Sequence, residues 1–203
     1  PWGSKSSCLY KTWISEIMLQ QSQVATVIPY FNAWMKRFPS VKSLASARVD
    51  SILKAWEGLG YYRRAHHIHQ ASKIIYKKHD SKIPSVYDDL IKMPGIGDYT
   101  AAAILSIGHN QPFLAIDGNF IRVFSRFFQI KGTKSSITKQ IKKKLYEVHI
   151  DNFSSFNQAI MDLGRTVCTS KPKCISCPIA FDCLAHKNNL TDQYPPKSKR
   201  KIK

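Results

Sequence analysis

At 203 residues the chain is long enough for one large domain or two small lobes, each with its own apolar core. A hydrophobic content of 43% with ten phenylalanines excludes disorder over most of the length, and no run of about eighteen apolar residues is present to cross a membrane. Lysine and arginine outnumber acids 31 to 13, a formal charge of +18 that points to a polyanionic partner, nucleic acid before any other.

In chain order, nearly every segment carries helical periodicity. The segment "WISEIMLQQSQV", Trp13 to Val24, opens as a helix in which Glu16 stands among Trp13, Ile14, Ile17 and Met18. A lone helical carboxylate is usually just solvated, but in an apolar pocket it stays protonated more readily, as a proton donor must. Ile52, Leu53, Trp56 and Leu59 repeat at i, i+1, i+4 and i+7, and glycines 58 and 60 break the pattern before Tyr61 and Tyr62. That tyrosine pair reads either as a buried aromatic start to a helix or as an exposed contact. His66, His67 and His69 follow beside Arg63 and Arg64 and read as a basic face, DNA-facing or solvated, rather than as metal ligands.

"MPGIGDYTAAAIL", Met93 to Leu105, places a proline and two glycines between apolar helical runs. This predicts a tight hairpin whose Gly95 and Gly97 let backbone approach a partner, with the N–H groups of the second helix exposed to hold a phosphate. Asp117 reads as the N-cap of a helix marked by Phe120, Val123, Phe124 and Phe127, and Phe156, Ile160, Leu163 and Val167 mark another. No alternating run supports a sheet, so the predicted class is all-α.

Cys168, Cys174, Cys177 and Cys183 then form C-x5-C-x2-C-x5-C in "CTSKPKCISCPIAFDC". Four thiols in a polar loop have no core to join, and a bunched set suits an intracellular metal site over a secreted disulfide framework. One C-x2-C flanked by two wider gaps suits a [4Fe-4S] cluster better than the separated pairs usual for structural zinc, although spacing alone leaves zinc open. Cys8 reads as an ordinary thiol, and "PPKSKRKIK" as a solvated basic tail.

Together with "GLGYYRRA" (Gly58 to Ala65), "IDGNF" (Ile116 to Phe120) and "FNQAIMDLG" (Phe156 to Gly164), these motifs resemble, in order and over essentially the whole chain, the MutY family of adenine DNA glycosylases. That family is the helix-hairpin-helix, iron–sulfur branch of the base-excision glycosylases. The resemblance implies two helical lobes with the target-base pocket in the cleft between them: a six-helix barrel over 9–112, an iron–sulfur lobe from 1–8 and 113–187, and a basic tail or linker over 188–203. It implies that Glu16 protonates adenine at N7, weakening the glycosidic bond, while Asp117 stabilises or transiently bonds the oxocarbenium-like sugar. The logic is that of the paired carboxylates of sugar hydrolases, one neutral and one charged. Asn119 matches a residue that positions water, and Gln158 the group that reads the flipped adenine. Gln21 and Tyr61 fall where the family wedges the duplex and contacts the opposite base, since an emptied stack must be filled. Trp2 and Ser22 join the expected DNA and substrate contacts with Gly95 and Gly97, and the four cysteines are the expected cluster ligands.

Tyr99 stands where bifunctional relatives carry a Schiff-base lysine, which predicts base release without strand cleavage. Its own expected roles are packing on the flipped nucleotide or hydrogen bonding near Asp117. The sequence departs from the family at Gly3, where arginine is usual, at Ser22, where threonine is usual, and in the first cysteine gap, one residue short. The family's 8-oxoguanine-recognising domain has no counterpart here, so the resemblance carries no strong opposite-base preference. The expected partner is double-stranded DNA with mismatched or oxidised pairs, bound by a monomer inside the cell: cytoplasmic, nucleoid-associated in a bacterium. A thymine/uracil mismatch glycosylase would share the hairpin, Tyr99, Asp117 and the cluster. A non-enzymatic metal-stapled DNA-binding module would need none of Glu16, Asp117 and Asn119.

Overall fold

The structure, a computed structural model, describes residues 9–196. Trp2, Gly3 and Cys8, for which the sequence raised expectations, lie outside the described residues, as does the end of the tail from 197 on. Among the described residues every regular element is helical, in agreement with the all-α expectation, and no helix is long and apolar enough to cross a membrane. The chain divides into two compact units, one ending at Phe113 and the other starting at Leu114.

The first unit contains α1 (Leu9–Leu19), α2 (Val24–Arg37), α3 (Val41–Ala45), α4 (Val49–Trp56), α5 (Arg63–Lys78), α6 (Tyr87–Leu90) and α7 (Asp98–Ala103). Helix α7 runs on into a π-helical turn, Ile104–Gly108. Such turns are rare and often mark functional segments. Helix α1 is buried on all sides from Thr12 to Met18, so it is the central element rather than a surface one. Around it Trp13, Trp34 and Trp56 are fully buried, with the Trp34 and Trp56 rings edge to face at 5.5 Å. Such pairs add about 0.5–1.5 kcal/mol beyond area burial. Two of the three indoles find partners: Trp34 donates to the Tyr10 hydroxyl, which donates to the Phe38 carbonyl at 2.7 Å, and Trp56 donates to the Gly60 carbonyl at 2.9 Å, while the Trp13 N–H is buried without one. Helix α3 starts at Ser40, whose side chain and that of Ser43 cap each other's backbone N–H.

The second unit is built from α8 (Gly118–Phe127), α9 (Lys134–Tyr146), α10 (Phe153–Thr166) and α11 (Leu184–Lys187), with 3₁₀ turns at Cys174–Ser176 and Thr191–Gln193. Side-chain caps start its three longer helices: Asp117 accepts from Phe120 N–H, Thr133 from Ser136 N–H and Asn152 from Ser155 N–H. Phe120, Phe124, Phe128 and Phe156 pack as an aromatic cluster with centroids 5.0–6.2 Å apart, and Ile137, Ile141 and Leu145 close it from α9. Part of the stretch 188–203, expected as a basic tail or linker, packs on this unit. Tyr194 is buried, and the carbonyls of Thr191 and Tyr194 each accept from Arg126 Nε at 2.9 Å.

Candidate active-site carboxylates and cysteine centre

Glu16 is buried, 9% exposed, because α1 lies inside the first unit. The Tyr99 hydroxyl donates to its Oε2 at 2.9 Å. Tyr99 comes from the first turn of α7, just past the hairpin, and is half-buried. The two helices are also tied where Gln20 Nε2 donates to Thr100 Oγ1 at 3.3 Å. Glu16 therefore sits among apolar residues of its own helix, with the Tyr99 phenol on Oε2; the burial disfavours a charged carboxylate.

The hairpin runs from α6 to α7. Gly95 has φ +79°, and a Cβ there would lie 2.7 Å from His67 Cβ, so both backbone and packing require glycine. Gly97 is different: its φ is −101°, and a Cβ would meet nothing within 4 Å. The fold does not demand glycine at 97, and its missing side chain leaves the α7 N-terminus open. Tyr87 braces the hairpin, stacked on Phe113 at 5.4 Å and donating to Asp98 Oδ1 at 2.9 Å.

Gln21 and Tyr61 are exposed, Ser22 is half-buried, and Gln21 and Tyr61 have positive φ, 59° and 50°. Tyr61 and Tyr62 are both exposed, so the buried-pair reading fails. The histidines do not form one surface face: His66 is exposed, His67 packs on Gly95, and His69 is buried at 6% exposure. Burial first, then nearby Lys73, lowers the His69 pKa. For His67 burial again comes first, followed by Arg63 and His66.

In the second unit, Asp117 caps α8 with Oδ1, accepting from Phe120 N–H at 2.7 Å, while Oδ2 accepts from Asn119 Nδ2 at 2.9 Å. Both carboxyl oxygens thus accept a hydrogen bond. Asn119 is itself held: Arg122 Nη2 donates to its Oδ1 at 2.6 Å and to the Gly164 carbonyl, while Arg122 Nε donates to the Cys168 carbonyl at 2.7 Å. Helix α10 passes so close that a Cβ on Gly164 would lie 2.6 Å from Asn119 Cβ. The fully buried Asn157 accepts from Ala115 N–H at 2.9 Å, fixing the segment that leads into Asp117. Its neighbour Gln158 is half-buried, its amide nitrogen donating to the Ser154 carbonyl and Oγ at 3.1 Å each.

Cys168, Cys174, Cys177 and Cys183 are unpaired thiols that line one cavity with apolar neighbours such as Val123, Phe127 and Ile179. Burial first, then the crowding of the other thiols, raises the Cys174 pKa. Cys183 is raised chiefly by burial. As the structure stands, no group of three or more His, Cys, Asp or Glu among the described residues is arranged to hold a metal ion. The four thiols nevertheless share one cavity, with Arg126 Nη1 3.4 Å from Cys168 Sγ.

Sequence reasoning passed over Arg64, Arg122, Arg126 and Asn157. Arg64 and Asn157 had a usable signal: each falls on the apolar stripe of its helix, with Ile68, Ala71 and Ile75 on α5 and with Ile160 and Gly164 on α10. A polar residue on a buried stripe must find partners. The Arg64 Nη1 and Nη2 do so while Nε is buried without one, and burial lowers its pKa against the opposing effect of Tyr61.

Residues 14–147 match the HhH-GPD superfamily of base excision DNA repair proteins. Over 208 aligned residues the chain is 46% identical to the adenine DNA glycosylase of Buchnera aphidicola subsp. Schizaphis graminum, covering 100% of this chain and 59% of that one. It is 39% identical to the human adenine DNA glycosylase over 189 residues, 91% of this chain and 35% of the human one. The chain thus spans about three fifths of the length of its bacterial relatives. Among solved structures, a thermostable thymine-DNA glycosylase shares the fold at TM-score 0.83 with 21% identity, covering 93% of this chain and 88% of that one. Endonuclease III in a non-covalent DNA complex does so at 0.77 with 21% identity, covering 90% and 86%.

Proposed function

We propose, on the premise that this chain belongs to the HhH-GPD superfamily of base excision DNA repair proteins, that it is the catalytic region of an adenine DNA glycosylase. Its substrate in this reading is duplex DNA in which adenine faces 8-oxoguanine or guanine. The observation that carries the reading is the buried Glu16 carboxyl in apolar surroundings with the Tyr99 hydroxyl 2.9 Å from Oε2.

Glu16 is kept neutral by its surroundings and delivers its proton to N7 of the extruded adenine, so that the base leaves as a neutral species. Tyr99 orients the carboxyl by its hydrogen bond. Asp117 carries the negative charge that faces the developing sugar cation, and Asn119, bonded to it, positions the water that completes hydrolysis. Gln158 reads the adenine edge. Gln21 and Tyr61 enter the duplex, Trp2 and Ser22 add contacts, and the hairpin at Gly95 and Gly97 presents backbone N–H groups to a phosphate. Because position 99 is a phenol and not an amine, the reaction ends at an abasic site. The exposed Lys92 pairs with Asp89 at 3.6 Å and takes no part.

Cys168, Cys174, Cys177 and Cys183 would hold a [4Fe-4S] cluster, which would tie the loop from 168 to 183 and take no part in the chemical step. The protein works as a monomer inside the cell, on mismatched or oxidised DNA. The test is base release from duplexes carrying A·8-oxoG, A·G, T·G and U·G pairs. Adenine release with intact strands before alkali is expected. Release of thymine or uracil instead would move the chain to the mismatch glycosylases.

A further inference from the structure

Arg64 lies at the start of α5, yet only 8% of it is exposed. Its guanidinium spans two segments far apart in sequence. On one side Nη1 donates to the carbonyls of Ile17 at 3.0 Å, Met18 at 2.8 Å and Gln20 at 2.5 Å, and Nη2 reaches Ser22 Oγ at 3.3 Å. On the other side Nη2 reaches the carbonyls of Gly60 at 3.2 Å and Leu59 at 3.4 Å. The flat group also stands 5.3 Å from the ring centroids of both Trp56 and Tyr61.

The residues next to these anchors are Gln21, between the held Gln20 and Ser22, and Tyr61, directly after the held Gly60 and itself under the guanidinium. Both are non-glycine residues with positive φ, and Tyr61 is 61% exposed. Left-handed backbone at such residues is sterically unfavourable and persists only where the surroundings enforce it. Here one guanidinium helps enforce both. A planar fork of donors can bridge two sets of carbonyls in fixed geometry; an ammonium cannot.

We propose that Arg64 joins the Gln21 and Tyr61 tips into one preorganised wedge and is therefore a positioning residue for extrusion of the target base. The inference rests on the proposed glycosylase function, in which those tips enter the duplex. Two independently mobile tips would each lose freedom on insertion, whereas tips fixed by a shared anchor have lost it already on folding.

The experiment follows extrusion by stopped-flow fluorescence of 2-aminopurine placed opposite guanine, using the full chain. Gln21→Ala and Tyr61→Ala are each expected to slow extrusion about tenfold, and the double variant by far less than the product of the two, because removing either tip already disables a shared wedge. Arg64→Lys is expected to slow extrusion about tenfold with duplex Kd changed less than about threefold, and its deficit should largely vanish when an abasic site faces the 2-aminopurine and no pair has to be opened. Single effects that multiply fully would show independent tips and overturn the proposal, whether or not Arg64→Lys folds. An Arg64→Lys deficit equal on both duplexes would reduce Arg64 to a purely structural role and overturn it as well. If neither tip variant slowed extrusion, the reading that these tips enter the duplex would fail first, and the inference with it.

Discussion

The two units hold a carboxylate each, by opposite means. In the first, Glu16 is buried in mid-helix among apolar side chains with a phenol on Oε2. In the second, Asp117 is half-buried at a helix N-terminus, with a backbone N–H and an amide on its two oxygens and Arg122 behind the amide. The first carboxylate is buried with one hydroxyl donor on Oε2; the second is half-buried with donors on both oxygens. The units also differ in what holds them together. The first has three tryptophans at its centre, while the C-terminal stretch of the second is tied to α8 by Arg126.

The largest effect that would break this contrast is on Asp117. Asp117→Asn keeps a good N-cap, so α8 should form normally, but it removes the charge facing the sugar. Single-turnover adenine release should fall by about 10²–10⁴-fold with duplex affinity nearly unchanged, the range of a lost transition-state interaction. A variant retaining most of its rate would show that Asp117 serves only as a cap.

A smaller effect sharpens the second difference. Cys174→Ser should reduce bound iron and raise amide hydrogen exchange across 168–187, with α1 and α5 left as protected as in the parent. Exchange rising equally in α1 would mean that the first unit depends on the metal site too.

The smallest concerns acid. The His69 pKa is lowered in the folded state, mainly by burial, so the unfolded chain takes up its proton at higher pH. Stability should therefore be flat above about pH 6.5 and decline as pH falls below it, with the decline partly removed in His69→Gln. Chemical denaturation at pH 7.5 and 5.5 measures it; a parent equally stable at both would contradict the assignment.

Local features of the fold were readable from sequence. Asp117 as a cap, the helical stripes of α4, α8 and α10, and the cysteine spacing all depend on residues within a few positions of each other. What was not readable depends on distance. Tyr99 and Glu16 are 83 apart, and Arg126 is 68 from Tyr194. No periodicity encodes such pairs. That is why the Tyr99–Glu16 bond and the packing of Tyr194 are absent from a reading of local patterns. His69 was misplaced for a related reason: a run of three histidines beside arginines reads as one basic face, whereas a helix turns about 100° per residue and buries one member of the run.

The central claim, that the buried carboxyl of the first unit is the proton donor, is tested most directly by Glu16→Gln. The side chain keeps its shape and its hydrogen bonding to Tyr99 but has no acidic proton. Single-turnover adenine release from an A·8-oxoG duplex should drop by at least about 10²-fold, with duplex Kd within about threefold of the parent. Release within a few-fold of the parent would mean that the proton comes from elsewhere, and the division of labour between the two carboxylates would be wrong.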